Sequence, residues 1–181
     1  MAGTVKGLKV AVLATDGVEQ VELTRPVQAL EEAGAEVSLI GQKAGPIQAM
    51  NNDVEAADSF PVDRHLGAAE PEDFAALLMP GGTTNADRLR MDDKAVAFVR
   101  HFVDANKPIA AICHAPWTLI EAGGVRGRRL TSYPSLQTDL ENAGAVWVDE
   151  DCVRDGRLVT SRKPADLDVF CAAMLDLFAG G

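Results

Sequence analysis

Short apolar runs alternate along this chain with longer segments whose apolar residues recur every three or four positions. The run Lys9-Val-Ala-Val-Leu-Ala-Thr15 is too short for a helix and apolar on both sides, which predicts a strand buried on both faces. Leu23, Val27 and Leu30 follow at helical spacing. Pro26 cannot donate a backbone bond, so the pattern predicts a break near Thr24, a main helix from Pro26, and a stop at Gly34. Strands are expected over 36–41, 75–79 and 108–112, and two short ones flank the turn Asn51-Asn52-Asp53. Asp92 should cap a helix whose apolar face is Ala95, Val99, Phe102 and Val103. Another helix is expected from His114 to Ala122, closed by Gly123-Gly124. Later come a short strand near Leu130, a helix from Ser135 to near Gly144 and a strand over 146–148. A hairpin turns at Asp155-Gly156, and the last helix spans 166–178 with Leu167, Cys171, Met174 and Phe178 inward.

Strands alternating with helices imply one doubly wound α/β domain over residues 1–181, with a mostly parallel sheet covered on both faces. Ligands of such sheets bind at the carboxyl ends of the strands. Attention therefore falls on Thr15 to Glu19, on Pro80 to Gly82, and on Cys113-His114.

Composition narrows the function. With 181 residues, 47% hydrophobic and 24% charged, the chain has the make-up of a globular protein. Its net charge of -10, with no basic run beyond Arg126-Gly127-Arg128-Arg129, argues against a nucleic-acid-binding surface. No secretory leader or membrane span is evident, so a cytoplasmic location is expected. Three cysteines with no pairing pattern, and no metal-ligand spacing, suggest neither a disulfide framework nor a metal or organic cofactor.

The chemistry concentrates where a buried strand meets a helix at Cys113-His114. A sharp strand-to-helix turn presents its side chain clear of the sheet, and the helix N-terminus beneath would favour thiolate over thiol. The thiolate is the nucleophilic form. His114 can exchange a proton near neutral pH, whereas His65 and His101 are expected in surface or structural roles. The glycines of Pro80-Gly81-Gly82 would let backbone N–H groups approach a ligand as an oxyanion hole. Glu19 and Glu22 both lie near the end of the first strand, and either could share a proton with the thiol.

Taken together, Ala111-Ile-Cys-His-Ala-Pro116, Leu78-Met-Pro-Gly-Gly82, Glu19-Gln-Val-Glu-Leu23 and Arg128-Arg-Leu-Thr-Ser-Tyr-Pro134 resemble the PfpI (intracellular protease I) family. Asn142-Ala-Gly-Ala-Val-Trp147 and Val159-Thr-Ser-Arg162 extend the resemblance over nearly the whole chain. It implies a flavodoxin-like sandwich of the class I glutamine amidotransferase-like superfamily. It also implies a nucleophile at Cys113, its histidine at His114, and a glutamate on the cysteine that matches Glu19 better than Glu22. In peptidase-like members an acid after the Pro-Gly-Gly turn reaches the histidine of a neighbouring subunit, and Asp87 is the matching position. This acid is Asp where archaeal peptidases carry Glu, on a loop one residue longer, and Ala115 stands where Gly is usual.

The resemblance implies a stress-linked cysteine hydrolase acting on a small reactive carbonyl or on a carbonyl-modified protein or peptide. Cys113 would attack, and Gly81, Gly82 and His114 N–H groups would hold the oxyanion. The alternatives are a peptidase using Cys113, His114 and Asp87, and a redox sensor or holdase chaperone without turnover. A homo-oligomer, dimer or higher, is implied. A glutamine amidotransferase proper would want a late histidine, and no His follows Tyr133.

Overall fold

The computed structural model describes residues 4–180. Its strands are β1 (Lys9–Leu13), β2 (Val18–Glu19), β3 (Glu36–Gly41), β4 (Ile47–Asn51), β5 (Glu55–Phe60), β6 (Arg64–His65), β7 (Ala76–Met79), β8 (Ile109–Ile112), β9 (Arg129–Leu130), β10 (Val146–Trp147), β11 (Cys152–Asp155) and β12 (Leu158–Ser161). The helices are α1 (Gln20–Glu32), α2 (Thr83–Arg90), α3 (Asp93–Asp104), α4 (Pro116–Glu121), α5 (Gln137–Asn142) and α6 (Leu167–Phe178).

The main sheet has the order β11-β12-β8-β7-β1-β3-β6, parallel throughout except for β11 against β12. Successive β1 side chains leave on opposite faces, as the pleat requires. Val10 and Val12 join a core with Leu23 and Leu30 of α1 and Phe170, Met174 and Leu177 of α6. Ala11 and Leu13 join the other, with Leu89 of α2, Phe98, Val99 and Phe102 of α3, and Leu119 of α4. This is the doubly wound arrangement that the alternation of elements predicts, and the flavodoxin-like sandwich that the family resemblance implies.

Two small sheets complete the fold, β2-β4-β5 and β10-β9. The first carries the β4–β5 hairpin, whose tip residues Asn52 and Asp53 sit in the left-handed region at φ 53° and 63°. Short polar side chains tolerate that conformation best after glycine.

Two local expectations are corrected. Helix α1 begins at Gln20 and runs through Pro26 without the expected break. Pro26 removes the bond to the Glu22 carbonyl, but burial of Leu23, Pro26 and Leu30 against the sheet outweighs that local cost. Helix α2 occupies what the hydrophobic pattern leaves as a loop. Its sequence TTNADRLR is mostly polar, and its anchor is the fully buried Asn85. Asn85 accepts from the Thr15 N–H and donates to the Pro80 and Gly81 carbonyls, locking the ends of β1 and β7 together. Among the described residues no helix is long and apolar enough to cross a membrane.

Candidate active site

The sheet order reverses between β1 and β7, the place where doubly wound sheets open a crevice. The ends of β1, β7 and β8 converge there. A cleft of about 190 Å³ is lined by Glu19, Glu22, Asn52, Asp53, Gly82, Cys113, Tyr133 and Pro164.

Cys113 follows β8 with φ 64°, a strained conformation for a side chain other than Gly, Asn or Asp. The elbow is pinned on both sides: the Cys113 N–H donates to the Ser161 carbonyl at 3.0 Å, and its carbonyl accepts from the Tyr133 N–H at 2.9 Å. The backbone N–H groups of Gly82 and His114 point at the sulfur. They are the donors an anion on or beside the sulfur would use. Gly81 differs from expectation here, because its N–H is already given to Glu22 Oε2 at 2.9 Å. The contribution of Gly81 is space: a Cβ there would meet that carboxyl and lie 2.6 Å from the Cys113 Cβ.

The glutamate beside the cysteine is Glu22, and this corrects the assignment of Glu19. Glu22 is fully buried in the first turn of α1, where its carboxyl interacts with the Cys113 side chain. Its Oε1 has no hydrogen-bond partner among the described residues. The Glu19 carboxylate instead accepts from the backbone N–H groups of Asn52 and Asp53, at 3.0 and 3.2 Å. It holds the hairpin tip against the cleft. Glu22 stands four and eight residues before the buried Pro26 and Leu30, so its helical register is the signal that distinguishes it from Glu19.

Burial raises the Glu22 pKa to about 8 despite the thiol and the Gly81 N–H, with Glu19 and Asp53 adding to the rise. The Cys113 thiol is pushed up too, first by burial and then by the Glu22 charge, against the pull of the two N–H groups. This overturns the expectation that the helix would favour thiolate in the resting protein. Helix α4 starts only at Pro116 and has six residues, and burial dominates. Each group's charge disfavours the other's, so the pair gives up one proton rather than two in the neutral to mildly alkaline range.

His114 Nδ1 lies 3.1 Å from Cys113 Sγ. Its ring stacks on Tyr133, centroids 4.7 Å apart, and meets the edge of Trp117. Nε2 is 3.4 Å from both Thr83 Oγ1 and Ser135 Oγ. Burial lowers the His114 pKa, with Asp53 acting in the opposite direction. Asp87 lies exposed on α2, and His114 of the same chain has no hydrogen bond to it among the described residues. Sequence reasoning missed Thr83, Ser135, Tyr133 and Asp53. The first two are common polar residues far from Cys113 in the chain. Asp53 carries a signal only in hindsight, as a polar residue at a hairpin tip.

Comparison with known proteins finds relatives over most of the chain. A profile of the DJ-1/PfpI family matches residues 8–177. Deglycase PH1704 of Pyrococcus horikoshii is 42% identical over 160 residues, covering 88% of this chain and 93% of its own. The protein named "Putative cysteine protease YraA" of Bacillus subtilis is 40% identical over 169 residues, covering 93% and 97%. Among solved structures, a two-domain protein of Anabaena variabilis with DJ-1/ThiJ/PfpI-like and ferritin-like domains superposes with a TM-score of 0.86 at 35% identity. That match covers 93% of this chain and 47% of the longer one. The chain belongs to the DJ-1/PfpI family.

Proposed function

We propose that this protein is a cysteine-dependent hydrolase of reactive carbonyls and their amine adducts, with Cys113 as the nucleophile. The observation that carries the reading is the strained Cys113 elbow, with Glu22 buried against the thiol and the Gly82 and His114 N–H groups aimed at it. The relatives named deglycase support the substrate class.

In the reacting form the pair holds one negative charge, the sulfur as thiolate and Glu22 as the acid. Sγ bonds to the aldehyde carbon and the π pair of the C=O moves to oxygen. The Gly82 and His114 N–H groups stabilise that oxygen, and Glu22 delivers its proton to it. A group with a pKa of about 8 suits proton transfer in either direction near neutrality. For a 2-oxoaldehyde, Glu22 or His114 then takes the hydrogen of the attacked carbon and returns a proton to the neighbouring carbon. This converts the adduct to a 2-hydroxyacyl thioester. Water cleaves its C–S bond, releasing the 2-hydroxy acid and restoring the thiol. From an amine adduct, the C–N bond breaks as the C–S bond forms, and the amine leaves with a proton. No external oxidant or reductant is needed.

Asp87 has no part in this cycle. In the peptidase reading it would orient His114 across a subunit boundary, and the relative named as a cysteine protease keeps that reading in view. The reading includes a cytoplasmic homo-oligomer, a dimer or larger. The test is incubation of wild type with a methylglyoxal-modified N-acetylated amino acid, and separately with casein, in buffer free of Tris because its amine consumes the aldehyde. Release of lactate and free amino acid, unaffected by Asp87→Asn, supports the proposal. Casein cleavage that Asp87→Asn abolishes, without lactate, would replace it by the peptidase. Absence of turnover on both, with Cys113 still oxidised by peroxide, would leave a redox sensor or holdase.

A further inference from the structure

The arrangement around His114 contains an acid that neither the elbow nor the family resemblance brings in. The Asp53 carboxylate accepts twice from Thr83, from its N–H at 2.8 Å (Oδ1) and from its hydroxyl at 2.9 Å (Oδ2). The same hydroxyl oxygen faces His114 Nε2 at 3.4 Å. A threonine hydroxyl has one proton, and a carboxylate can only accept. With that proton committed to Asp53, Thr83 Oγ1 can only accept from His114. Nε2 must therefore carry the ring proton in the neutral imidazole, which leaves a lone pair on Nδ1. Nδ1 is the nitrogen 3.1 Å from Cys113 Sγ.

We propose that Asp53, acting through the Thr83 hydroxyl, is a positioning residue that fixes His114 in the tautomer able to take the Cys113 proton. An acid that orients the histidine thus comes from the same chain, by way of the β4–β5 hairpin. Glu19 belongs to the same device. Its carboxylate binds the Asn52 and Asp53 N–H groups and so holds the hairpin tip in its left-handed conformation, presenting Asp53 to Thr83. Gly82, the N-cap of α2, has φ 93° and a Cβ there would lie 2.6 Å from the Glu19 backbone nitrogen. Thr83 is consequently seated against the same strand end as Glu19. Ser135 Oγ, also 3.4 Å from Nε2, is the competing partner. Its hydroxyl is free to rotate and accept from an Nε2–H, so it adapts to the tautomer rather than setting it.

The inference rests on Cys113 being the nucleophile, but its test uses no carbonyl substrate. Failure here would leave the proposed chemistry standing, and failure of lactate formation would leave the tautomer assignment standing. The protein is labelled with 15N and the His114 ring nitrogens are observed by long-range 1H–15N correlation at a pH where the imidazole is neutral, beside the rate of Cys113 alkylation by iodoacetamide. Wild type should show the proton on Nε2. Asp53→Asn should invert the chain of donors. The amide oxygen still accepts from the Thr83 N–H, its NH2 donates to Oγ1, and the hydroxyl proton turns to Nε2. The ring proton then moves to Nδ1, and alkylation slows at least ~10-fold. Thr83→Val should lose the fixed tautomer and slow alkylation, while Thr83→Ser restores both. Ser135→Ala should keep the wild-type tautomer. An Nε2 proton retained in Asp53→Asn, unchanged alkylation in Thr83→Val, or a tautomer shift in Ser135→Ala would each overturn the proposal.

Discussion

Replacing Glu22 by Gln should make the protein more stable, increasingly so as pH rises. The pKa of this carboxyl goes from 4.5 to about 8 on folding, chiefly because it is buried. Between those values the folded protein keeps a proton that the unfolded chain has released, so stability falls as pH rises. The contribution is intact below pH ~4.5 and lost as the pH climbs through ~8. Each pH unit in that window costs about 1.4 kcal/mol. Across the whole window wild type gives up roughly 5 kcal/mol, and between pH 5 and pH 8 about 3.5 kcal/mol. Glutamine is neutral throughout, matches the shape, and keeps an oxygen for the Gly81 N–H. Urea unfolding of wild type and Glu22→Gln at pH 5, 6, 7 and 8 should therefore give curves that start close and diverge, the variant ahead by roughly 3–5 kcal/mol at pH 8. A gap that stays below about 1 kcal/mol over the whole range would refute the claim that Glu22 is held protonated by burial.

Other consequences follow from the same geometry. Iodoacetamide alkylation of Cys113 should rise with pH through an inflection near 8, where the Glu22–Cys113 pair loses its first proton, and Glu22→Gln should displace that inflection. Gly82→Ala forces a side chain into φ 93° and against the Gly17 carbonyl and Glu19 nitrogen. It should cost at least about 2 kcal/mol in urea unfolding and abolish Cys113 reactivity by shifting the oxyanion N–H. Asn85→Ala removes three buried hydrogen bonds that tie β1 to the Pro80-Gly81 turn. Unfolding should register a loss of about 2–4 kcal/mol, and turnover should fall through kcat more than KM because Gly81 and Gly82 lose their support.

Much of the architecture was legible because hydrophobic period reports burial directly. β1, β7 and β8 show as apolar runs, and α3 shows as a stripe with Asp92 capping it by accepting from the Lys94 and Ala95 N–H groups. Helix α2 was not legible, since its seating depends on buried hydrogen bonds of Asn85 and not on apolar spacing. Pro26 reads locally as a helix break because it lacks a donor, while the tertiary burial that overrides this cost has no local signature. At the site, strand-end reasoning located Cys113, His114 and the Gly81-Gly82 turn. Choosing between Glu19 and Glu22 needed the start of α1, which decides which carboxyl turns inward. The Asp53–Thr83 contact joins residues thirty positions apart through a hairpin of a separate small sheet, and no spacing in the chain encodes it.

The central claim is that the Cys113 sulfur attacks carbonyl carbon, and lactate formation from methylglyoxal tests it most directly. Wild type and Cys113→Ala, both confirmed as folded, are compared in phosphate buffer with enzymatic quantitation of L- and D-lactate over time. The account predicts many lactates per wild-type chain and a rate indistinguishable from buffer for Cys113→Ala. Lactate formed equally by both proteins, or by neither, would contradict it.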